Sequence, residues 1–192
     1  ELIIIHNHIL DKAMEDFGGV IPLSFNTIIK KGEDSSKHNL KKWLNEEKEG
    51  LEKKWSKIKG KREYGIRIYY EKDKLIKESM NAEGKELEEN LQGKSKGLNY
   101  LLREKIKSII NEIVQRKINQ FKQQFYDDIK IMADEIKINI SRISIDEEKD
   151  LLLSLSILVN EQQINKIKKI LEKTGKDFSF QLAGPFAPYS FV

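Results

Sequence analysis

The sequence has 192 residues, with 35 Lys or Arg against 31 Asp or Glu and a net charge of +4. This length fits one large domain or two small ones, and a charged content of 34% favours long solvated helices over a compact globule. The absence of cysteine excludes disulfides and thiolate chemistry, and no apolar run in the sequence is long enough to span a bilayer.

The N-terminal half is predicted to alternate helices with short strands. Residues 2–17 predict a helix that ends at Gly18-Gly19, and "VIPLSF" predicts a short strand that Pro22 places at an edge. A charged helix is predicted from Ser35 to about residue 59. "REYGIRIYYEK" then alternates with a period of two, which indicates a half-buried strand, and a short helix follows from Asp73. The charged helix carries an apolar stripe that we expect to be buried: Leu40, Trp43, Leu44, Leu51, Trp55 and Ile58.

The middle of the chain is predicted to contain a linker and one very long helix. "GKELEENLQGKSKG", residues 84–97, has three glycines among polar residues and predicts a boundary between two domains. Apolar residues then recur every three or four positions from Leu98 to Ile136, which predicts a helix of about 40 residues and roughly 60 Å. A rod of this length needs a partner helix, so we expect a coiled-coil-like arm.

The C-terminal part is predicted to form strands around one helix. Residues 136–140 alternate and predict a strand, and the apolar run "LLLSLSILV" predicts a central strand covered on both sides. Residues 160–175 predict a helix that is capped by Asn160 and stopped at Gly175. "DFSFQLA" predicts a further strand that must end near Gly184-Pro185, because proline cannot donate to a sheet ladder. The result is an α+β unit that contains a βαβ element.

No motif in the sequence calls for catalysis. "HNH" at residues 6–8 has the letters of a nuclease motif, but two histidines two positions apart on a helix point about 200° from each other. We therefore predict no catalytic residue, no cofactor and no metal site. "REYGIRIY" partly matches the strand on which RNA-recognition domains stack bases, but Ile66 replaces the second aromatic ring that stacking requires. A core strand is the preferred interpretation.

Basic residues are concentrated between positions 30 and 62, with twelve Lys or Arg against six Asp or Glu. The simpler interpretation is a solvated, lysine-rich helix face. The alternatives are a surface for nucleic acid, anionic lipid or an acidic protein face. A basic nucleic-acid-binding α+β module with a coiled-coil arm is therefore the second functional hypothesis for this sequence.

The uncharged C-terminus is the other unusual segment. "AGPFAPYSFV" ends a highly charged chain, although termini are usually polar and frayed. Its prolines hold an extended path along which aromatic rings can dock. Such a segment is either a clasp across a domain face or a hook offered to a partner, and its physics leaves both open. The candidate contact residues are Pro185, Phe186, Pro188, Tyr189 and Phe191.

This tail resembles the ending G-P-W-P-P-Y-S-F of the gas vesicle accessory proteins of the GvpF/GvpL family, with Phe186 in place of Trp and Ala187 in place of Pro. Three further stretches resemble that family in the same order. "VIPLSFNTI" is similar to L-P-v-r-F-G-T except at Ser24 and Asn26, "EYGIRIYY" to E-[WY]-G-v-k-v-y, and "GKSKGLNYLLREKI" to G-x-g-x-a-Y-L-x-x-K. The resemblance covers essentially the whole sequence.

The resemblance implies an α+β protein of two domains. The first, residues 1–83, is expected to be a modified ferredoxin-like domain without its opening strands. The second, residues 98–192, is expected to be an α+β domain that carries the long helix 98–136 and the tail 184–192. We expect a fragment that lacks the start of the family's first domain.

The implied role is non-enzymatic. The family resemblance predicts an assembly factor or minor structural component that binds the hydrophobic shell protein and other accessory proteins, in the gas vesicle or the cytoplasm. Neither a membrane nor a nucleic acid is expected as a partner. We further expect the tail to act as a clasp on the second domain. The basic stretch, residues 30–62, is expected to attract the partner electrostatically.

Overall fold

The structure is a computed structural model that describes residues 2–31, 34–84, 96–140, 149–173 and 177–192. The N-terminal elements are helices α1 (Leu2–Phe17), α2 (Ser36–Glu46) and α3 (Lys48–Ile58), strand β1 (Arg62–Tyr70), and helix α4 (Lys72–Ser79) continued by a π-helical turn (Met80–Gly84). The C-terminal elements are helix α5 (Lys96–Lys130), strands β2 (Glu135–Ile138) and β3 (Asp150–Val159), helix α6 (Glu161–Lys173), strand β4 (Phe178–Phe186) and a short 3-10 turn (Tyr189–Phe191).

The four strands form one sheet in the order β2-β3-β1-β4, and every neighbouring pair is antiparallel. Strands β3 and β4 therefore run parallel to each other on either side of β1 and are joined through α6, which confirms the α+β class and the predicted βαβ connection. The strand β1, from the N-terminal half, pairs with both β3 and β4 from the C-terminal half. The sheet thus draws on both sides of the predicted linker, whose residues 85–95 lie outside the described residues.

The predicted division into two domains at residues 84–97 stays a prediction, and so does the ferredoxin-like form of the first domain. Within residues 1–83 the structure describes a single strand, β1, whose partners both come from beyond residue 149. "VIPLSF" is not the predicted strand, because residues 19–31 are irregular and none of the described strands pairs with them.

One face of the sheet packs against helices α5 and α6 and forms the main core. The alternation of β1 sends Ile66 and Ile68 to this face, and both are fully buried. The strand β3 is buried from Leu152 to Val159, as predicted for a central strand covered on both sides. Further core members come from the two helices: Ile106, Ile110, Val114, Ile118, Phe125, Ile129, Ile164, Ile167 and Leu171.

The charged helix after Ser35 is two helices, because the backbone breaks at Glu47 with φ −90° and ψ 7°. Its predicted stripe is only partly buried. Ile58, at the end nearest β1, is fully buried, whereas Trp43 and Leu44 are 38% and 44% exposed. The expectation that this stripe is buried was therefore wrong for Trp43 and Leu44 of α2.

The long helix ends earlier than predicted. Helix α5 has 35 residues and stops at Lys130, and the N–H of Asp134 already donates to the carbonyl oxygen of Leu158 at 3.0 Å. The three-to-four spacing continues to Ile136 by coincidence, because this residue belongs to β2 and pairs with Ile157. In the described part of the chain, α4 and the π-helical turn pack beside α5, and they cover only a part of its length.

The predicted cap of α6 is confirmed. The Oδ1 atom of Asn160 accepts from the N–H of Gln163 at 2.9 Å, and the Oε1 atom of Gln163 accepts from the N–H of Asn160 at 2.7 Å. These two reciprocal bonds form a capping box, which fixes where α6 begins. The predicted stop at Gly175 lies outside the described residues.

Candidate functional site

The last strand continues through Gly184-Pro185, where the sequence predicted it to end. Strand β4 reaches Phe186, which pairs with Glu63 of β1, and the Gly184-Pro185 peptide bond is cis. Proline is tolerated here because β4 is an edge strand. At Gly184 the backbone has φ +126°, and a Cβ atom would lie 2.8 Å from the Tyr64 ring and 2.9 Å from the Glu63 carbonyl oxygen. Only glycine fits this position.

The last six residues of the tail, 187–192, pack against the chain's own helices and sheet. Ala187 is buried in a cluster with Leu10 and Met14 of α1. Phe191 is buried in a second cluster with Ile58 of α3 and Leu158 of β3. The tail thus connects the N-terminal helices to the sheet through two separate apolar contacts.

Three charged side chains hold the tail backbone. The carboxylate of Glu63, which is 8% exposed, accepts from the N–H and the hydroxyl of Ser190 at 2.8 and 2.5 Å. The Nζ atom of Lys57 donates to the Phe191 carbonyl oxygen at 3.0 Å. Lys137 donates to the Ser190 carbonyl oxygen, and its Nζ lies 5.6 Å from the centre of the Phe191 ring. Charge-assisted hydrogen bonds of this kind are stronger than neutral ones. The two bonds from Ser190 compensate the free-energy cost of burying the Glu63 carboxylate.

The predicted tail residues fall into two groups. Pro188 and Phe191 are buried, whereas Pro185 is exposed and Phe186 and Tyr189 are 50% and 43% exposed. Sequence reasoning missed Glu63, Lys57 and Lys137. Nothing in the local pattern distinguishes these three from neighbouring charged residues.

Tyr189 makes one polar contact with α1. Its hydroxyl lies 2.8 Å from the Nε2 atom of His6, whose ring also meets Phe25 edge-on at 5.5 Å between centroids. Partial burial raises the pKa of Tyr189 above its usual value. His6 therefore contributes to packing between α1, the tail and the irregular segment. In the described parts of the chain, no group of three or more His, Asp or Glu side chains is arranged to hold a metal ion.

Aromatic rings on β1 are not available for stacking bases. Tyr64 and Tyr70 lie on the face that packs against the helices, and Tyr69 is 5% exposed. Burial raises the pKa of Tyr64 and of Tyr70, and this effect is the largest for both phenols. The open face of β1 therefore lacks the paired exposed rings with which RNA-recognition strands bind single-stranded RNA.

A large set of apolar side chains is exposed on the N-terminal elements. Helix α1 exposes Leu2, Ile3, Ile4 and Ile9 by 59–73%, and the irregular segment exposes Ile28 by 82%. A groove of about 420 Å³ also lies between the irregular segment and α2. The groove is lined mostly by apolar side chains: Leu23, Ile28, Ile29, Leu40 and Trp43. These side chains, with those of α1, are called the N-terminal apolar surface below.

The basic stretch, residues 30–62, is partly neutralised. Lys57 pairs with Glu135 at 2.8 Å and Lys61 with Asp134 at 3.3 Å, which ties α3 and the start of β1 to β2. Among the described residues, Lys41, Lys42, Lys53 and Lys54 have no carboxylate within 4.0 Å, and they lie exposed on α2 and α3. The described helices include none that is long and apolar enough to cross a membrane.

Comparison with known proteins finds gas vesicle proteins as relatives of this chain. A gas vesicle protein L of Haloferax mediterranei is 23% identical over 198 residues, which cover 97% of this chain and 60% of the relative. Gas vesicle protein L1 of Halobacterium salinarum is 20% identical and covers 99% of this chain and 69% of the relative. The chain thus spans about 60% of the length of the first of these relatives.

Solved structures share the fold. Crystal structures of the gas vesicle protein GvpF from Anabaena sp. and from Microcystis aeruginosa match with TM-scores of 0.69 and 0.62, at 21% and 19% sequence identity. Each match covers 98% of this chain and 76% of the solved chain. The family model of the gas vesicle synthesis protein GvpL/GvpF matches residues 1–192. The chain therefore belongs to the GvpL/GvpF family of gas vesicle proteins.

Proposed function

We propose that this chain is a non-enzymatic accessory or minor structural protein that binds the hydrophobic shell protein during gas vesicle assembly. Membership of a gas vesicle family supports the setting. The observation that carries the proposal is the N-terminal apolar surface. The first turn of α1, residues 2–5, consists of leucine and isoleucine only, and all four side chains are exposed. Exposed apolar patches of this extent mark sites of interaction with other polypeptides.

The shell protein has the chemistry that fits this surface. A subunit that forms a wall facing gas carries apolar surface that aggregates in water before assembly. A groove lined by Ile28, Leu40 and Trp43 can receive the apolar side chains of such a subunit. The exposed lysines of α2 and α3 add a long-range attraction for acidic partners, so association should weaken as salt increases.

We propose a separate, internal role for the tail. Its contacts with α1, α3 and β1 are those of a clasp that fixes the N-terminal helices against the sheet. On this proposal the tail positions the N-terminal apolar surface and does not itself bind the shell protein. Exposed Phe186 and Tyr189 are the residues through which a hook would act instead.

The proposal is tested by co-production of the full-length gene product with the shell protein, followed by affinity purification. The variant is Ile4→Asp with Ile9→Asp, which places two charges on the exposed part of α1. The matched control is His8→Asp, which adds a charge to an exposed position of the same helix without removing an apolar side chain. We expect the double variant to lose most of the co-purified shell protein and the control to retain it.

Thermal unfolding of both variants completes the test. If the N-terminal apolar surface is a partner site, the double variant keeps the wild-type Tm. A fall in Tm that accompanies the loss of binding would assign these isoleucines to the folding of the full-length protein. Undiminished co-purification with the double variant would contradict the proposal directly.

A further inference from the structure

The groove between the irregular segment and α2, called the α2 groove below, is held in shape by two hydrogen bonds. The Nδ2 atom of Asn39 donates to the carbonyl oxygen of Lys30 at 2.9 Å, which holds the irregular segment beside the first half of α2. The hydroxyl of Ser35 accepts from the N–H of His38 at 3.2 Å and caps the start of α2. The groove has a volume of about 420 Å³. An apolar cavity of roughly 150 Å³ holds one benzene ring, so the α2 groove has room for about three apolar side chains.

The side chains that line the α2 groove offer few hydrogen bonds to the backbone of a ligand. The amide of Asn39 is already engaged with Lys30. The apolar members of the lining are Leu23, Ile28, Ile29, Leu40 and Trp43. An extended segment would bury its N–H and C=O groups against these side chains without partners, which is unfavourable. An α-helix satisfies its own backbone groups and presents apolar side chains on one face, so the lining favours a helix as the occupant.

Unpaired basic side chains border this apolar lining. Lys30 lines the groove, and Lys37 lies one turn before Leu40 on the same side of α2. Both lysines are exposed, and neither has a carboxylate of a described residue within 4.0 Å. The nearest acidic residue along the chain, Asp34, lies 3.8 Å from the Nε2 atom of His38. His38 is turned away from Leu40 by about 160° around α2, so this carboxylate does not neutralise the groove.

The positive charge is concentrated at one end of the α2 groove. The start of α2 carries the positive end of the helix dipole, and Lys37 lies in the first turn. Glu46 and Glu47 follow Trp43 at the other end of the helix. A partner helix is therefore favoured when its carboxylates lie near the start of α2 and are kept away from the end of α2.

We propose that the α2 groove binds an amphipathic helix of a partner protein, with the apolar face of that helix on Ile28, Leu40 and Trp43 and its carboxylates beside Lys30 and Lys37. This inference rests on the proposed function, because it describes the segment that this part of the N-terminal apolar surface receives. It adds the conformation of the segment, the sign of its charge and the direction in which it lies.

The test is an NMR titration of the full-length gene product with blocked, alanine-rich peptides of about 20 residues, which is long enough for a helix in water. All peptides carry the same leucines on one face, and three residues near one end are glutamate, glutamine or lysine. We expect the glutamate peptide to shift the amide signals of Ile28 and Leu40 and the indole signal of Trp43. The glutamine peptide should bind about tenfold more weakly and the lysine peptide more weakly still.

Two results of this titration would overturn the proposal. Equal affinities of the glutamate and lysine peptides would show that the charge of the ligand is irrelevant. Undiminished binding of a glutamate peptide with two central prolines, which cannot form a continuous helix, would show that the occupant is not helical.

An isoleucine variant separates binding from folding. Ile28→Asp introduces a charge into the lining of the groove at a side chain that is 82% exposed. It should weaken the glutamate peptide at least about tenfold while the Tm stays unchanged. The matched control is Ile140→Asp, at an isoleucine that is 97% exposed just beyond β2, and it should keep the wild-type affinity. Wild-type affinity in Ile28→Asp would refute the site.

A lysine variant tests the source of the charge preference. Lys30→Gln combined with Lys37→Gln should bind the glutamate and glutamine peptides with equal affinity. The matched control, Lys105→Gln with Lys122→Gln at exposed positions of α5, should retain the preference for glutamate. A preference that survives in the first double variant would contradict the proposed position of the carboxylates.

The failure of this inference is distinguishable from the failure of the proposed function. If no peptide binds while co-purification of the shell protein still depends on Ile4 and Ile9, the helix in the α2 groove is refuted and the proposed function stands. If the glutamate peptide binds as expected while the shell protein never co-purifies, the proposed function is refuted and the ligand class of the groove stands.

Discussion

Replacement of Gly184 by alanine tests whether the close packing of the end of β4 against β1 determines the position of the tail. The new Cβ atom would lie 2.8 Å from the Tyr64 ring and 2.9 Å from the Glu63 carbonyl oxygen, well inside van der Waals contact. A carbonyl oxygen in the central strand cannot move aside easily. Overpacking of this kind costs about 1–3 kcal/mol. The backbone adds a further cost of about 1–2 kcal/mol, because alanine disfavours a positive φ. We therefore expect a total loss of stability of roughly 2–5 kcal/mol.

Two other glycines separate these contributions. Gly18 and Gly60 also have positive φ, at 75° and 73°, but a Cβ atom at either would meet nothing within 4 Å. Their alanine variants should lose only the backbone part, about 1–2 kcal/mol. The measurement is the free energy of unfolding of all three variants from urea titrations. Equal losses for Gly184→Ala and Gly18→Ala would show that the close contact with β1 is absent.

Three further perturbations follow from the same structure. Deletion of residues 187–192 should lower the free energy of unfolding by about 2–5 kcal/mol, because it exposes apolar residues and leaves the Glu63 carboxylate without donors; an unchanged Tm with lost shell-protein binding would identify the tail as a hook. Stability should fall as pH rises above 10, because burial raises the pKa of Tyr189 above its ordinary value of 10.0 in the folded state only, and proton loss then favours unfolding. The Tm of the Tyr189→Phe variant should decline less steeply with pH above 10 than the wild-type Tm. An identical decline for both proteins would refute this expectation. Asn160→Ala should cost about 1 kcal/mol in urea unfolding through loss of the α6 cap, with no effect expected from Asn7→Ala.

The parts of the fold that follow local rules were predictable from the sequence. The capping box at Asn160 and the continuous apolar run of β3 each depend on neighbouring residues, and both are confirmed. Periodicity failed where two patterns overlap. Ile136 fits both the helical spacing of α5 and the alternation of β2, and only the hydrogen bond from Asp134 to Leu158 decides between them.

The environment of the tail depends on distant residues and could not be predicted in the same way. Glu63 and Ser190 are 127 positions apart, and their contact exists because β1 pairs with β4 and brings the chain end back over the sheet. Likewise, the apolar spacing of α2 does not reveal that Trp43 lies beside an open groove. The motif of the tail, in contrast, is a local sequence pattern, and it indicates the family independently of how the strands pair.

A role in gas vesicle assembly is the central claim, and complementation of a gene deletion tests it most directly. A host that forms gas vesicles would be compared with its deletion strain by electron microscopy of vesicle number and size. We predict that the deletion abolishes or severely reduces vesicles and that the wild-type gene restores them, whereas the variant with Ile4→Asp and Ile9→Asp does not. Vesicles of normal number and size in the deletion strain would contradict the central claim.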